Sequence, residues 1–138
     1  MIRAVLFDYG RVLSGPLWPH FTVRRLAKKI KASGLKIGIL SNIFLAAAIV
    51  FKLTGGYRGF DPIILSFKEK VAKPNAPIYE IAIKRLGVKP EEILFIDNLE
   101  VNIAAAKSLG MKTILAKSSK QVVRDIKEVL LKENKLDL

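Results

Sequence analysis

Three short apolar runs in this 138-residue chain stop abruptly on polar residues that can do chemistry. Residues 2–7 lead to Asp8, residues 36–40 lead to Ser41 and Asn42, and residues 93–96 lead to Asp97 and Asn98. Lys73 stands between the second and third runs. If the runs are neighbouring strands, two carboxylates meet at one end of a sheet. Left alone they repel each other and resist desolvation. A divalent cation between them resolves both problems. Mg²⁺ takes oxygen ligands, keeps several waters and binds through one or two carboxylates plus a substrate phosphate. A carboxylate can then attack a phosphoryl group and carry it covalently. Its own charge repels the anionic phosphate, so the site needs the metal and a cation such as Lys73. The Ser41 hydroxyl can steady a phosphoryl oxygen.

Strands and helices alternate along the chain and would position these residues. Strands are expected over 2–7, 36–40, 63–65, 93–96 and 113–116. Helices are expected over 21–31, 44–53, 74–86, 100–109 and 120–132. Alternation of this kind predicts a parallel sheet covered on both faces. The strands are continuous apolar runs rather than alternating ones, as burial of both faces requires. The expected fold is therefore α/β, a three-layer αβα Rossmann-like arrangement with a central parallel sheet, in one domain over 1–138. Ligands of such sheets sit outside the carboxyl ends of the strands, where Asp8, Ser41 and Asp97 fall.

Composition narrows the classes. There are no cysteines, which excludes disulfides, thiolate metal sites and cysteine nucleophiles. His20 is the sole histidine, and no Ser-His-Asp set is evident. Neither G-x-x-x-x-G-K-[ST] nor G-x-G-x-x-G occurs. The longest apolar stretch, 43–51, is far short of the roughly 20 residues of a membrane span. The first apolar run is too short for a signal segment and ends on an acid, so a soluble, cytoplasmic protein is expected. The net charge is +12 and the sequence pI about 10.1. Lysines are spread over several helices with no interleaved aromatic residues. We read them as a solvated surface rather than a nucleic-acid interface.

Taken together, the polar strand ends match a known family. Asp8-Tyr9-Gly10-Arg11-Val12 resembles the first motif of the haloacid dehalogenase superfamily, and Ile39-Leu40-Ser41-Asn42 its second. Lys73-Pro74-Asn75 with the helix to Leu86-Gly87 is similar to its third. Ile96-Asp97-Asn98 with Asn102 and Leu109-Gly110-Met111 resembles its fourth. The resemblance covers almost the whole chain in the family's motif order. It implies Asp8 as nucleophile and metal ligand, with Lys73 paired to nucleophile and phosphate. It implies Ser41 and Asn42 on the phosphoryl group. It also implies Mg²⁺ held by Asp8, the Gly10 carbonyl and Asp97, with Asn98 and Asn102 near the metal shell.

Three departures accompany the resemblance. Typical family phosphatases carry a second Asp, as general acid and base, where Gly10 stands; some branches with a similar Asp-x-Gly-x-Val motif include phosphatases. Arg11 occupies a position where Gly is common, and could reach a substrate anion. No cap domain fits between the first two motifs, so residues 14–20 can form only a short flap. The resemblance implies a Mg²⁺-dependent phosphate monoester hydrolase acting through an aspartyl-phosphate on Asp8. A non-catalytic binding module of the same fold and a dehalogenase-type hydrolase are the alternatives. The expected partner is a small phosphorylated substrate or a phosphorylated macromolecule, without membrane or nucleic acid. Trp18 and the 43–51 helix could form a homodimer interface, although we favour ordinary core for both.

Overall fold

The sheet grows outward from the first strand. In the computed structural model, which describes residues 1–138, β1 (Ala4–Phe7) pairs in parallel with β2 (Lys36–Ser41) on one side. On its other side it pairs in parallel with β4 (Ile93–Asp97). The short β3 (Ile63–Leu65) adds beyond β2, and β5 (Lys112–Leu115) beyond β4. The order is β3-β2-β1-β4-β5, and every pairing is parallel. Register sets Phe7 beside both Ile39 and Ile96, so the residues after β1, β2 and β4 emerge at one edge.

Strand alternation sends successive side chains to opposite faces. Val5, Phe7, Ile39, Leu94 and Ile96 face one core, with Leu26 and Ile30 of α1 (Phe21–Ala32) and Ile126 and Leu130 of α6 (Ser119–Asn134). Ala4, Leu6, Leu40, Ile93 and Phe95 face the other, with Ile78, Tyr79 and Leu86 of α4 (Ala76–Leu86) and Ile103 of α5 (Glu100–Ser108). The result is the expected three-layer αβα architecture. Gly87 stops α4 at φ +64°, a left-handed conformation that glycine adopts without steric cost. Ser118 caps α6 by accepting from the Gln121 amide. No helix is long and apolar enough to cross a membrane.

Two expectations are overturned. Between β2 and β3, α2 (Leu45–Leu53) buries only Ala48, while Leu45, Ile49, Val50 and Leu53 are exposed. Trp18 is likewise 74 % exposed. Neither is ordinary core. A helix apolar on every side gives no periodic signal of which face is covered. The sequence also leaves unmarked one further turn of helix, α3 (Ser66–Glu69), after β3, where the Ser66 hydroxyl holds the Ile43 amide at 2.9 Å.

Candidate active site

The carboxyl edge gathers three charged side chains into one buried cluster. Asp8 follows β1 directly, and its amide still donates to the Ile96 carbonyl of β4 at 2.8 Å, which fixes it against that strand. Asp97 is the last residue of β4 and is fully buried. Lys73 reaches in from the loop before α4. Its Nζ donates to Asp8 Oδ1 at 2.9 Å, Asp97 Oδ2 at 2.6 Å and the Leu40 carbonyl at 2.9 Å. All three hydrogens of the ammonium are thereby used, and the face of the Phe95 ring lies 5.6 Å from it. Sequence reasoning expected Lys73 beside the nucleophile; the structure puts it between both acids.

Two carboxylates facing one ammonium leave a net negative charge out of water. Burial pushes the Asp8 carboxyl up from 3.8 to about 6; Lys73 pulls it down, and the Asp97 charge pushes it up again. A second cation is what this donor set lacks. No group of three His, Cys, Asp or Glu side chains lies together anywhere in the chain. Two carboxylates supplemented by carbonyl and water oxygens suit Mg²⁺ rather than a metal needing an all-protein cage. The two carboxylates therefore fit a Mg²⁺ ion beside Asp8, completed by carbonyl and water oxygens.

Asp97 is held from its other side. Its Oδ1 accepts from the Leu99 amide at 2.9 Å and its Oδ2 from Asn102 Nδ2 at 3.1 Å. Asn102 is buried on α5, and its carbonyl accepts from the Tyr79 hydroxyl at 3.0 Å. Such a frame keeps both acids in place without a ligand.

The other expected residues fall as follows. Ser41 ends β2 and is buried at the same edge. Asn42, expected beside the substrate, has its amide engaged with the main chain of Lys73. Its Nδ2 donates to the Lys73 carbonyl and its Oδ1 accepts from the Lys73 amide, each at 2.9 Å. Gly10 is exposed and follows the buried Tyr9. Arg11 and Asn98 do not join the cluster but line a neighbouring cavity. Sequence reasoning passed over Lys117 and Ser119, which line that cavity too. They follow β5, so inspecting the end of the fifth strand as well as the other three would have found them. Arg24 was also passed over. It braces the loop after Asp8, donating to the Leu13 and Gly56 carbonyls and, at 3.0 Å, to the Tyr9 hydroxyl.

Comparison with known proteins agrees with this fold. A family model described as haloacid dehalogenase-like hydrolase matches residues 2–110. Glyceraldehyde 3-phosphate phosphatase of Methanocaldococcus jannaschii is 31% identical over 116 residues, 83% of this chain and 51% of that protein. The chain spans about half or less of the length of the curated relatives it matches. Among solved structures, an uncharacterized protein from Corynebacterium glutamicum superposes with TM-score 0.76 at 24% identity, covering 94% of this chain and 95% of that one. A HAD family enzyme from Bacteroides thetaiotaomicron, crystallised with magnesium and inorganic phosphate, superposes with TM-score 0.68 at 19% identity, covering 86% and 96%. With the family model matched over most of its length and the motif residues gathered at one sheet edge, the chain belongs to the haloacid dehalogenase-like hydrolases.

Proposed function

We propose that this chain hydrolyses phosphate monoesters in a Mg²⁺-dependent reaction through an aspartyl-phosphate on Asp8. The observation that carries the reading is the Lys73 ammonium held between the Asp8 and Asp97 carboxylates at 2.9 and 2.6 Å. That arrangement keeps a carboxylate ionisable in a buried place and presents a cation where phosphoryl charge arrives. The relatives named as glyceraldehyde 3-phosphate phosphatases support a phosphate ester as substrate. The neighbour holding magnesium and phosphate supports the metal.

Asp8 attacks phosphorus, the ester P–O bond breaks, and the alcohol leaves with its electron pair and takes a proton from water. A second water then attacks the aspartyl-phosphate and gives up its proton to the hydroxide left when the alcohol was protonated. Its P–O bond to Asp8 breaks, and phosphate and the free carboxylate are regenerated. Asp8, Asp97 and the Gly10 carbonyl would hold the Mg²⁺, which when bound would neutralise charge on the phosphoryl group. Lys73 screens nucleophile from phosphate, and Ser41 donates to a phosphoryl oxygen. The stretch over 14–20 would form a short flap in place of a cap.

The test is p-nitrophenyl phosphate hydrolysis by the purified chain with Mg²⁺, with EDTA, and in Asp8→Asn. This substrate has a leaving group that needs no proton from a general acid. We expect turnover that is lost both in EDTA and in Asp8→Asn. Turnover surviving Asp8→Asn would refute the covalent route, and turnover indifferent to EDTA would refute the metal. No turnover by the wild-type chain would favour a non-catalytic module.

A further inference from the structure

Beside the carboxylate cluster lies a second, polar cavity of about 320 Å³ that the reaction above does not use. Its walls come from three places: Arg11, Gly15, Pro16 and His20 of the stretch after β1, Asn98 immediately after Asp97, and Lys117 to Ser119 after β5. The backbone brings these walls together. The Ala116 amide donates to the Asp97 carbonyl at 2.8 Å, and the Arg11 amide to the Ser14 carbonyl at 2.6 Å. His20 Nδ1 donates to the Val12 carbonyl at 2.9 Å. Its Nε2 then lies over Gly15, where even a Cβ would come within 3.0 Å of it.

The charge on these walls is of one sign. Arg11 and Lys117 are cations, Asn98 and Ser119 can donate hydrogen bonds, and no carboxylate lines the space. Neither Arg11 nor Lys117 enters an ion pair. Arg11 also holds φ at +63°, a left-handed conformation that residues other than glycine adopt uncommonly and that Lys70 and Lys135 share. An arginine kept in a glycine's conformation, its charge unanswered, on the rim of a catalytic edge, fits a ligand that supplies the missing anion.

We propose that this cavity binds a second anionic group of the substrate, so that the chain selects phosphate esters carrying another negative charge, a carboxylate or a second phosphate. The inference rests on the phosphatase reading and goes beyond it, since the cluster around Asp8 handles only the scissile phosphate. It also separates this chain from relatives named for an aldehyde-bearing ester. An uncharged aldehyde has no use for a pair of unmatched cations.

The experiment compares esters of one skeleton at saturating Mg²⁺: 3-phosphoglycerate against glycerol 3-phosphate for a carboxylate, and fructose 1,6-bisphosphate against fructose 6-phosphate for a second phosphate. We expect kcat/KM to favour the doubly charged member of at least one pair by about tenfold or more, as loss of a charge-assisted hydrogen bond implies. Whichever pair responds identifies the anion. Lys117→Ala should bring that ratio close to one, mainly through KM, and Lys117→Arg should retain it. Because the ratio is taken within one protein, partial misfolding of a variant lowers both members and leaves the ratio intact. A wild-type ratio near one in both pairs, with p-nitrophenyl phosphate still hydrolysed, would overturn the cavity and leave the phosphatase standing. So would a ratio unchanged in Lys117→Ala. Failure to hydrolyse any ester, p-nitrophenyl phosphate included, would overturn the phosphatase reading and this inference with it.

Discussion

At position 10 the chain carries a hydrogen where a second carboxylate would complete the acid–base chemistry of a phosphatase. The surroundings do not require glycine. A Cβ there meets no atom within 4 Å, and the backbone is not left-handed. Gly10→Asp should therefore fold unstrained and place a carboxyl two residues from Asp8, the proposed nucleophile. General acid help is worth roughly 10² to 10⁴ in rate. We expect Gly10→Asp to raise kcat on an alkyl phosphate by on the order of 10², towards the lower end of that range. The gain on p-nitrophenyl phosphate should be much smaller, because its leaving group needs no proton. Parallel rate measurements on the two substrates check this. Equal gains, or none, would mean that protonation of the leaving group does not limit the reaction. Arg11 is the opposite case. Its φ of +63° explains why glycine is common at that position, and its side chain needs a reason to be there.

The strands supply the acids, but a loop-to-loop contact aims the cation between them. Asn42 and Lys73 sit on different loops, and two 2.9 Å hydrogen bonds clamp the Asn42 amide to the Lys73 main chain. Asn42→Ala should cost about 1 kcal/mol of stability, the net worth of partly exposed hydrogen bonds. It should lower kcat more than KM, because Lys73 loses its aim rather than its charge. Denaturant unfolding and steady-state kinetics together test it; a raised KM with kcat intact would return Asn42 to direct substrate contact. Much of this element scale was legible in the sequence. Apolar runs ending on Asp8, Ser41 and Asp97 are a strong signal, because a buried parallel strand has nowhere else to put a charge. The aim of a side chain is not: Asn42 next to Ser41 reads the same whether it faces substrate or a neighbouring loop. The start of β1 was also misplaced. Ile2 is buried like a strand residue, yet its main chain pairs with the Asn134 side chain at the end of α6 rather than with the sheet. Lys117 stayed hidden for a third reason. In a chain so rich in lysine, a lysine after a strand looks like surface until the fold sets Arg11 beside it.

Over the whole molecule the net charge of +12 changes meaning once the fold is known. Read along the sequence the cations are dispersed and look like a solvated coat. Folding gathers some of them, with Arg25, Lys28 and Lys31 of α1 meeting Arg58 around Phe21 and Phe60. Others, Arg11 and Lys117, stand at the catalytic edge. A positive field of this kind concentrates anionic substrate and steers its approach. Between about 0.02 and 0.3 M salt the Debye length falls from about 20 Å to about 6 Å, which removes the long-range part and leaves direct contacts. We expect kcat/KM on phosphate esters to fall by on the order of tenfold over that interval, with the change in KM, because the field acts on encounter and not on the bond-making step. Mg²⁺ must be kept saturating throughout, since salt also weakens metal binding. Steady-state kinetics across the series decides the matter. A flat kcat/KM would restore the view of the charge as an inert coat. A fall carried by kcat would instead place the salt-sensitive interaction inside the transition state.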